Sequence, residues 1–366
     1  MKRIGILTGG GDCPGLNNAV KWVVNTALDT DLEGKRGQSF ECFGINDGWH
    51  GIVEVDPSNE RSVQEHIRPL FKSTVRTWDR YGGTMLGTSR TNPFNPENDQ
   101  SEKVISNMRA LGFDVVIAIG GEDTLGVAAK LKAKGMNMIG IPKTIDLDLP
   151  GTEYCLGFES AVSIITEEVD RLRTTAGSHE RVFVIETMGR HAGWLALEGG
   201  KATGAFIILI PEYEVNANYV CDLIKKGDDS GLRYEIIIVA EGCKICGGEE
   251  CFQGKETDDF GHKLLGGVGE RLAKIIKQKT GHDTRHVVLS HLQRGGPPSA
   301  YDRRMGRAFG IAAVDLIARE EFGKMVSYKD GRITYVDLET ALGKLHTVDV
   351  DKEYDKEILN GPRELI

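Results

Sequence analysis

The chain has 366 residues, with 45 Lys plus Arg against 54 Asp plus Glu and a net charge of −9. That acidic surplus excludes general nucleic-acid binding and adhesion to an anionic membrane, while leaving room for a local basic pocket. Hydrophobic residues at 40% and charged residues at 27% give the balance of a soluble globular protein, of about two or three domains at roughly 150 residues each. No apolar run reaches the roughly 18–20 residues that a bilayer span needs, and Ile4 to Leu7 is too short for a signal-peptide core. A cytoplasmic protein is expected, with its odd count of seven cysteines read as free thiols.

Short β-branched runs alternate with longer amphipathic stretches. The first pair is a strand over Arg3–Leu7 and a helix over Leu16–Ala27. Between them lies Thr8-Gly9-Gly10-Gly11-Asp12-Cys13-Pro14-Gly15. Its glycines let backbone approach a ligand, Pro14 suits a first helical turn, and a helix start offers free N–H groups to an anion. It is neither the dinucleotide fingerprint nor the Walker loop, so a ligand-free strand–helix turn is the competing reading. A helix over Asp99–Leu111 and a strand over Asp114–Ile119 lead to Gly120-Gly121-Glu122-Asp123-Thr124. Here one carboxylate suits Mg2+ and the other shapes a phosphate pocket, or both simply favour the helix dipole.

A helix over Leu125–Gly135 and a strand over Met138–Ile141 lead to Pro142-Lys143-Thr144-Ile145-Asp146-Leu147-Asp148. In an extended segment Asp146 and Asp148 point to one side, and such a pair needs a metal, a cation or a task. A solvated turn is the bland alternative. Next come a helix over Phe158–Thr174, a strand over Val182–Ile185 opened by Arg181 and followed by Met188-Gly189-Arg190, and a strand over Ala205–Leu209. A helix over Asn218–Lys226 and a strand over Glu235–Val239 precede Gly242–Gly261, which reads as an inserted surface loop. Its Cys243, Cys246 and Cys251 are free thiols, or zinc ligands if His262 completes the set. A helix over Gly267–Thr280, a strand over His286–Leu289 preceded by Arg285, the run from Ser290 to Gly296 and a helix over Asp302–Ile317 finish the pattern. The alternation means α/β architecture with mainly parallel sheets flanked by helices, and ligands at the carboxyl ends of the strands. Arginine forks beside strand ends suit phosphate, although each alone reads as a surface ion pair.

Taken together, the GGGD…PG turn, Gly82 to Arg90 (GGTMLGTSR), GGEDT at 120–124, PKTID at 142–146, MGR at 188–190 and HLQRGG at 291–296 resemble the phosphofructokinase family from Arg3 to about Ile317. The resemblance implies two α/β domains, 1–142 plus about 258–305 for the phosphoryl donor and about 143–257 plus about 306–366 for the sugar phosphate. The active site would lie in the interdomain cleft. It implies phosphoryl transfer to the 1-hydroxyl of fructose 6-phosphate with Mg2+ as cofactor. Gly11, Arg90, Asp123 and Lys143 would meet the donor, and Glu122 and Asp148 the metal. Asp146 would be the base, with Thr144 and Arg190 beside the transferring group. Thr144, Ile145, Asp146, Met188, Gly189, Arg190, Glu241, His291, Leu292, Gln293 and Arg294 would line the sugar site, and Arg181 and Arg285 would reach that of a neighbouring subunit, making a homodimer or homotetramer. The family's ATP-using branch carries glycine where Asp123 and Lys143 stand, so pyrophosphate is the expected donor. Leu147 replaces the usual asparagine and Glu122 a common aspartate. Other readings are an ATP-dependent enzyme, a kinase for another sugar phosphate such as sedoheptulose 7-phosphate, and a non-catalytic regulatory subunit. His191 reads either as a donor within the site or as a packing residue.

Overall fold

A computed structural model describes residues 1–246, 251–252, 256–257, 263–264 and 267–362. In chain order the main elements are β1 (Lys2–Thr8), α1 (Leu16–Ala27), β2 (Phe40–Ile45), β3 (Ile67–Leu70), α2 (Ser101–Ala110), β4 (Val115–Gly120), α3 (Glu122–Ala133) and β5 (Met138–Pro142). Then come α4 (Phe158–His179), β6 (Val182–Thr187), α5 (Trp194–Thr203), β7 (Ile207–Leu209), α6 (Ala217–Asp229), β8 (Glu235–Ala240), α7 (Val268–Thr280) and β9 (Thr284–Val288). The last are α8 (Ala300–Ala318), β10 (Lys324–Lys329) and β11 (Arg332–Asp337). Every expected strand and helix forms, with ends displaced by a few residues. Elements that the periodicity had not signalled include β2, β3, α5, β10 and β11.

The chain divides into two compact units, residues 1–145, 149–160 and 294–344, and residues 146–148, 161–293 and 345–366. The first holds a seven-stranded sheet in the order β11-β10-β5-β4-β1-β2-β3. Its centre is parallel, with Ile4 beside Val115 and Val116 beside Met138, and its margins are antiparallel pairs, of which β10–β11 is a hairpin. All of β4 and β5 is buried, as expected for apolar strands covered on both faces. The second unit holds a four-stranded parallel sheet, β9-β6-β8-β7, in which β6 and β8 are wholly buried.

These units differ from the expected domain limits. β9 pairs with β6, which keeps the segment up to Gln293 in the second unit, whereas β10 pairs with β5 and α8 packs on α1, which draws 294–344 into the first. The expected loop after β8 is not simply surface: Cys243 and Ile245 are buried, and Ile245–Cys246 pairs with Val215–Asn216 and with Cys251–Phe252. Cys246 is disulfide-bonded, so it is not the free thiol expected. Its register partner across the antiparallel pair is Cys251. Cys13, Cys42, Cys155, Cys221 and Cys243 are free and buried. Among the described residues no cluster of three or more His, Cys, Asp or Glu is arranged to hold a metal, and His262 lies outside them. Among the described residues, too, no helix is long and apolar enough to cross a membrane.

Candidate active site

In the first unit the carboxyl ends of β1 and β4 turn into the two glycine motifs. A Cβ on Gly9 would lie 2.5 Å from Thr124 Oγ1 and one on Gly120 would lie 2.4 Å from Thr124 Cβ. Both positions therefore need glycine so that the turns can close over Thr124. α1 starts at Leu16 behind Gly15, whose φ is +112°, so Pro14 stands just before the helix and not in its first turn. Glu122 and Asp123 occupy the first turn of α3 and are exposed, where a carboxylate suits the helix dipole. The Gly82 to Arg90 segment is tied to the first turn: Gly10 N–H donates to Ser89 O (3.2 Å), Thr88 Oγ1 to Gly10 O (2.5 Å) and Thr8 Oγ1 to Gly87 O (2.6 Å). Asn17 reaches from α1 to Tyr81 O and Gly83 O, both at 2.8 Å, and accepts from Met85 N–H. These threonines and Asn17 were not singled out in the sequence. Arg90 itself is exposed.

Lys143 is 3% exposed, so the solvated-turn reading fails. Its backbone is fixed by a bond from Lys143 N–H to Gly120 O, and its ammonium donates to Gly11 O at 2.5 Å. A Cβ on Gly10 would stand 3.5 Å from that ammonium. A cation thus rests on the first glycine turn. Arg294 comes to the same turn, donating from Nη1 to Asp12 O at 3.1 Å. A Cβ on Gly11 would lie 2.6 Å from Arg294 Nη1. Arg294, which the resemblance assigns to the sugar phosphate, thus lies against the first glycine turn within the first unit. Cys13, beside both cations, is no nucleophile: burial pushes its thiol up to about 12, and it donates to Leu156 O.

The Asp146–Asp148 segment is not extended. Ile145 and Asp146 form a turn and Leu147 has φ +55°, in the left-handed region. The two carboxylates flank that residue, and the alternation argument for their shared side does not apply. Ile145 is 1% exposed, while Thr144 is half-buried.

In the second unit the carboxyl ends of β6 and β8 bring the sugar-motif residues together. Glu241 N–H donates to Thr187 O, Gly242 N–H to Gly189 O and Met188 N–H to Gln293 Oε1. Met188, Arg190 and Glu241 are half-buried. Gln293 is fully buried, and its amide also donates to Ser290 O, so it orders the 188–190 loop from behind. His291 and Leu292 are exposed in a short helical turn, with His291 Nδ1 3.0 Å from Ser290 Oγ. His191 is exposed, which removes the packing reading. Arg181 and Arg285 lie at the amino ends of β6 and β9, a strand length from Met188 and Glu241. Both grip Asp283, at 2.6 and 2.7 Å.

The sequence profile described as Phosphofructokinase matches residues 3–317. The pyrophosphate--fructose 6-phosphate 1-phosphotransferase of Dictyoglomus thermophilum is 46% identical over 352 residues, covering 95% of each chain. A protein of Synechocystis sp. named ATP-dependent 6-phosphofructokinase 1 is 40% identical, over 96% of this chain and 94% of its own. Among solved structures, the pyrophosphate-dependent phosphofructokinase of Marinobacter aquaeolei superposes with a TM-score of 0.78 at 23% identity, over 99% of this chain and 89% of its own, a likeness of fold. The profile match, the identities and the glycine, PKTID and MGR loops at their strand ends together make this chain a member of the phosphofructokinase family.

Proposed function

We propose that the chain transfers a phosphoryl group reversibly from pyrophosphate to the 1-hydroxyl of fructose 6-phosphate, giving fructose 1,6-bisphosphate and phosphate. The observation that carries the donor choice is Lys143, a nearly buried cation resting on Gly11 O, with Asp123 in the first turn of α3. The Lys143 ammonium meets the dense charge of pyrophosphate. Asp123 sets a like charge against the inner phosphate of a longer nucleotide, a repulsion of about 1 kcal/mol in water and several in a cleft. The name of the Dictyoglomus relative agrees with this choice.

The residues present fit Mg2+. Glu122 and Asp148, assigned to it in this reading, offer hard carboxylate oxygens. That donor set suits an ion that takes one or two carboxylates and completes its shell with substrate phosphates and water. When bound, Mg2+ would neutralise charge on the phosphate oxygens. Asp146 takes the proton of the sugar hydroxyl, a contribution of about 10²–10⁴-fold. Thr144 and Arg190 orient the transferring group, and the 188–190 loop with Glu241 and His291 holds the sugar phosphate. A homodimer or homotetramer in which Arg181 and Arg285 serve a neighbouring sugar site completes the reading. The location that fits these phosphorylated substrates is the cytoplasm, where a disulfide such as that of Cys246 is uncommon.

Initial rates with Mg2+, fructose 6-phosphate and either donor test the reading: pyrophosphate should exceed ATP. The double change Asp123→Gly with Lys143→Gly should move the donor ratio toward ATP by about tenfold or more, equivalent to about 1.4 kcal/mol. Equal or faster native turnover with ATP overturns pyrophosphate as donor, and faster turnover with sedoheptulose 7-phosphate overturns the sugar.

A further inference from the structure

Leu147 holds a left-handed backbone at φ +55° while 7% exposed. For an L-residue whose side chain cannot hydrogen-bond locally, that conformation costs about 1–2 kcal/mol and persists only where the surroundings impose it. The imposing contacts come from a residue 199 positions away. His346 Nδ1 lies 2.9 Å from Leu147 O, and His346 N–H donates to Asp148 O at 2.8 Å. A carbonyl only accepts, so Nδ1 carries the hydrogen. The peptide units on the carboxyl side of Leu147 and of Asp148 are therefore both gripped by one residue.

His346 is itself held. Its ring stacks on Trp194 at 4.8 Å and 24°, and Trp194 Nε1 donates to His346 O at 3.0 Å. Two residues on, Val348 N–H donates to Glu212 Oε1 at 2.9 Å, and the same oxygen accepts Gly193 N–H at 2.9 Å. The start of α5 thus anchors the segment at 346–348, and that segment anchors the loop. All of these residues belong to the second unit.

We propose that His346 is a positioning residue for the phosphoryl-transfer loop: its two bonds hold Leu147 left-handed and so fix the directions of Asp146 and Asp148. The proposal rests on the roles given above to those two aspartates. Relaxation of Leu147 to a common backbone region rotates one carboxylate relative to the other, and a misplacement of about 1 Å costs about 10²-fold in rate.

The test measures kcat and both KM values, together with hydrogen exchange of the 144–149 amides, in the full-length protein. His346→Ala should lower kcat by about 10- to 100-fold, move the sugar KM by less than about threefold, and speed exchange at 144–149. His346→Phe keeps a ring against Trp194 but lacks the donor, and should lose kcat as well. It also serves if the alanine variant does not fold. His346→Asn, whose amide can occupy the Nδ1 position, should recover part of the loss. In a Leu147→Asn background, where the side chain itself favours the left-handed region, His346→Ala should cost less than in the native background. An unchanged kcat in the His346→Phe enzyme overturns the proposal, as does an equal cost in both backgrounds or unchanged exchange at 144–149. If the native protein shows no sugar-phosphate kinase activity, the functional reading fails, and the exchange data alone decide whether His346 holds the loop.

Discussion

Glu235 opens β8 with 4% of the residue exposed, and neither of its buried carboxyl oxygens has a hydrogen-bond partner among the described residues. Burial first, and the nearby Asp228 second, raise its pKa from 4.5 to about 8. The folded chain therefore keeps this proton at a pH where the unfolded chain has lost it. Stability falls as pH rises from about 4.5 through 8 and levels off above, because the unfolded state binds fewer protons across that window. Glu235→Gln should flatten the decline and leave the variant more thermally stable than the native chain at pH 9. Melting temperatures from pH 5 to 9 check this, and parallel declines in the two proteins would contradict it. In the sequence Glu235 is only the first residue of a strand, since nothing local marks a buried acid. For Lys143 the sequence allows both a phosphate role and a solvated turn, and only its burial decides against the solvated turn.

At the scale of elements, Asp302 in the first turn of α8 joins segments that are distant in sequence. Its carboxylate is fully buried and accepts from Tyr154 Oη (2.8 Å), Gly157 N–H (2.7 Å), Ser160 N–H (2.9 Å) and Ser160 Oγ (2.6 Å). Burial raises its pKa while those donors lower it. Asp302→Ala strands several buried donors at about 1–3 kcal/mol each, so a loss of about 3 kcal/mol or more is expected in urea unfolding. Asp302→Asn keeps one acceptor and should lose less. The hairpin β10–β11 was missed although it carried a signal: Asp330-Gly331 sits between alternating runs, the pattern of a tight turn. α5 carried a weaker one, because Gly199 and Gly200 break its propensity. Those glycines are required where they stand, since a Cβ on Gly200 would lie 2.5 Å from Ile208.

For the whole molecule, the two arginines at the amino ends of β6 and β9 carry the oligomer prediction. Arg181 and Arg285 are paired by Asp283 and lie a strand length from the 188–190 loop of their own unit. In the proposed reading they act on the sugar phosphate of another copy. Light scattering on the active enzyme should give at least a dimer, and an active monomer would end the idea. Arg285→Ala should raise the sugar KM by about tenfold or more, the size of a lost charge-assisted bond, with kcat at saturation changing less.

The sequence by itself determined the strand–helix alternation, the family and the positions of the glycine loops. These depend on apolar periodicity and turn chemistry within a few residues, which no distant contact overrides. The exact agreement at Leu16–Ala27 illustrates this. The tertiary structure alone decided that Arg294 rests on the first glycine turn, that 294–344 joins the first unit, that Cys246 is oxidised and that Leu147 is left-handed. Each of these depends on groups brought together by folding, from Asp12 and Arg294 to Leu147 and His346, and chain-distant hydrogen bonds and packing leave no periodic trace in a sequence.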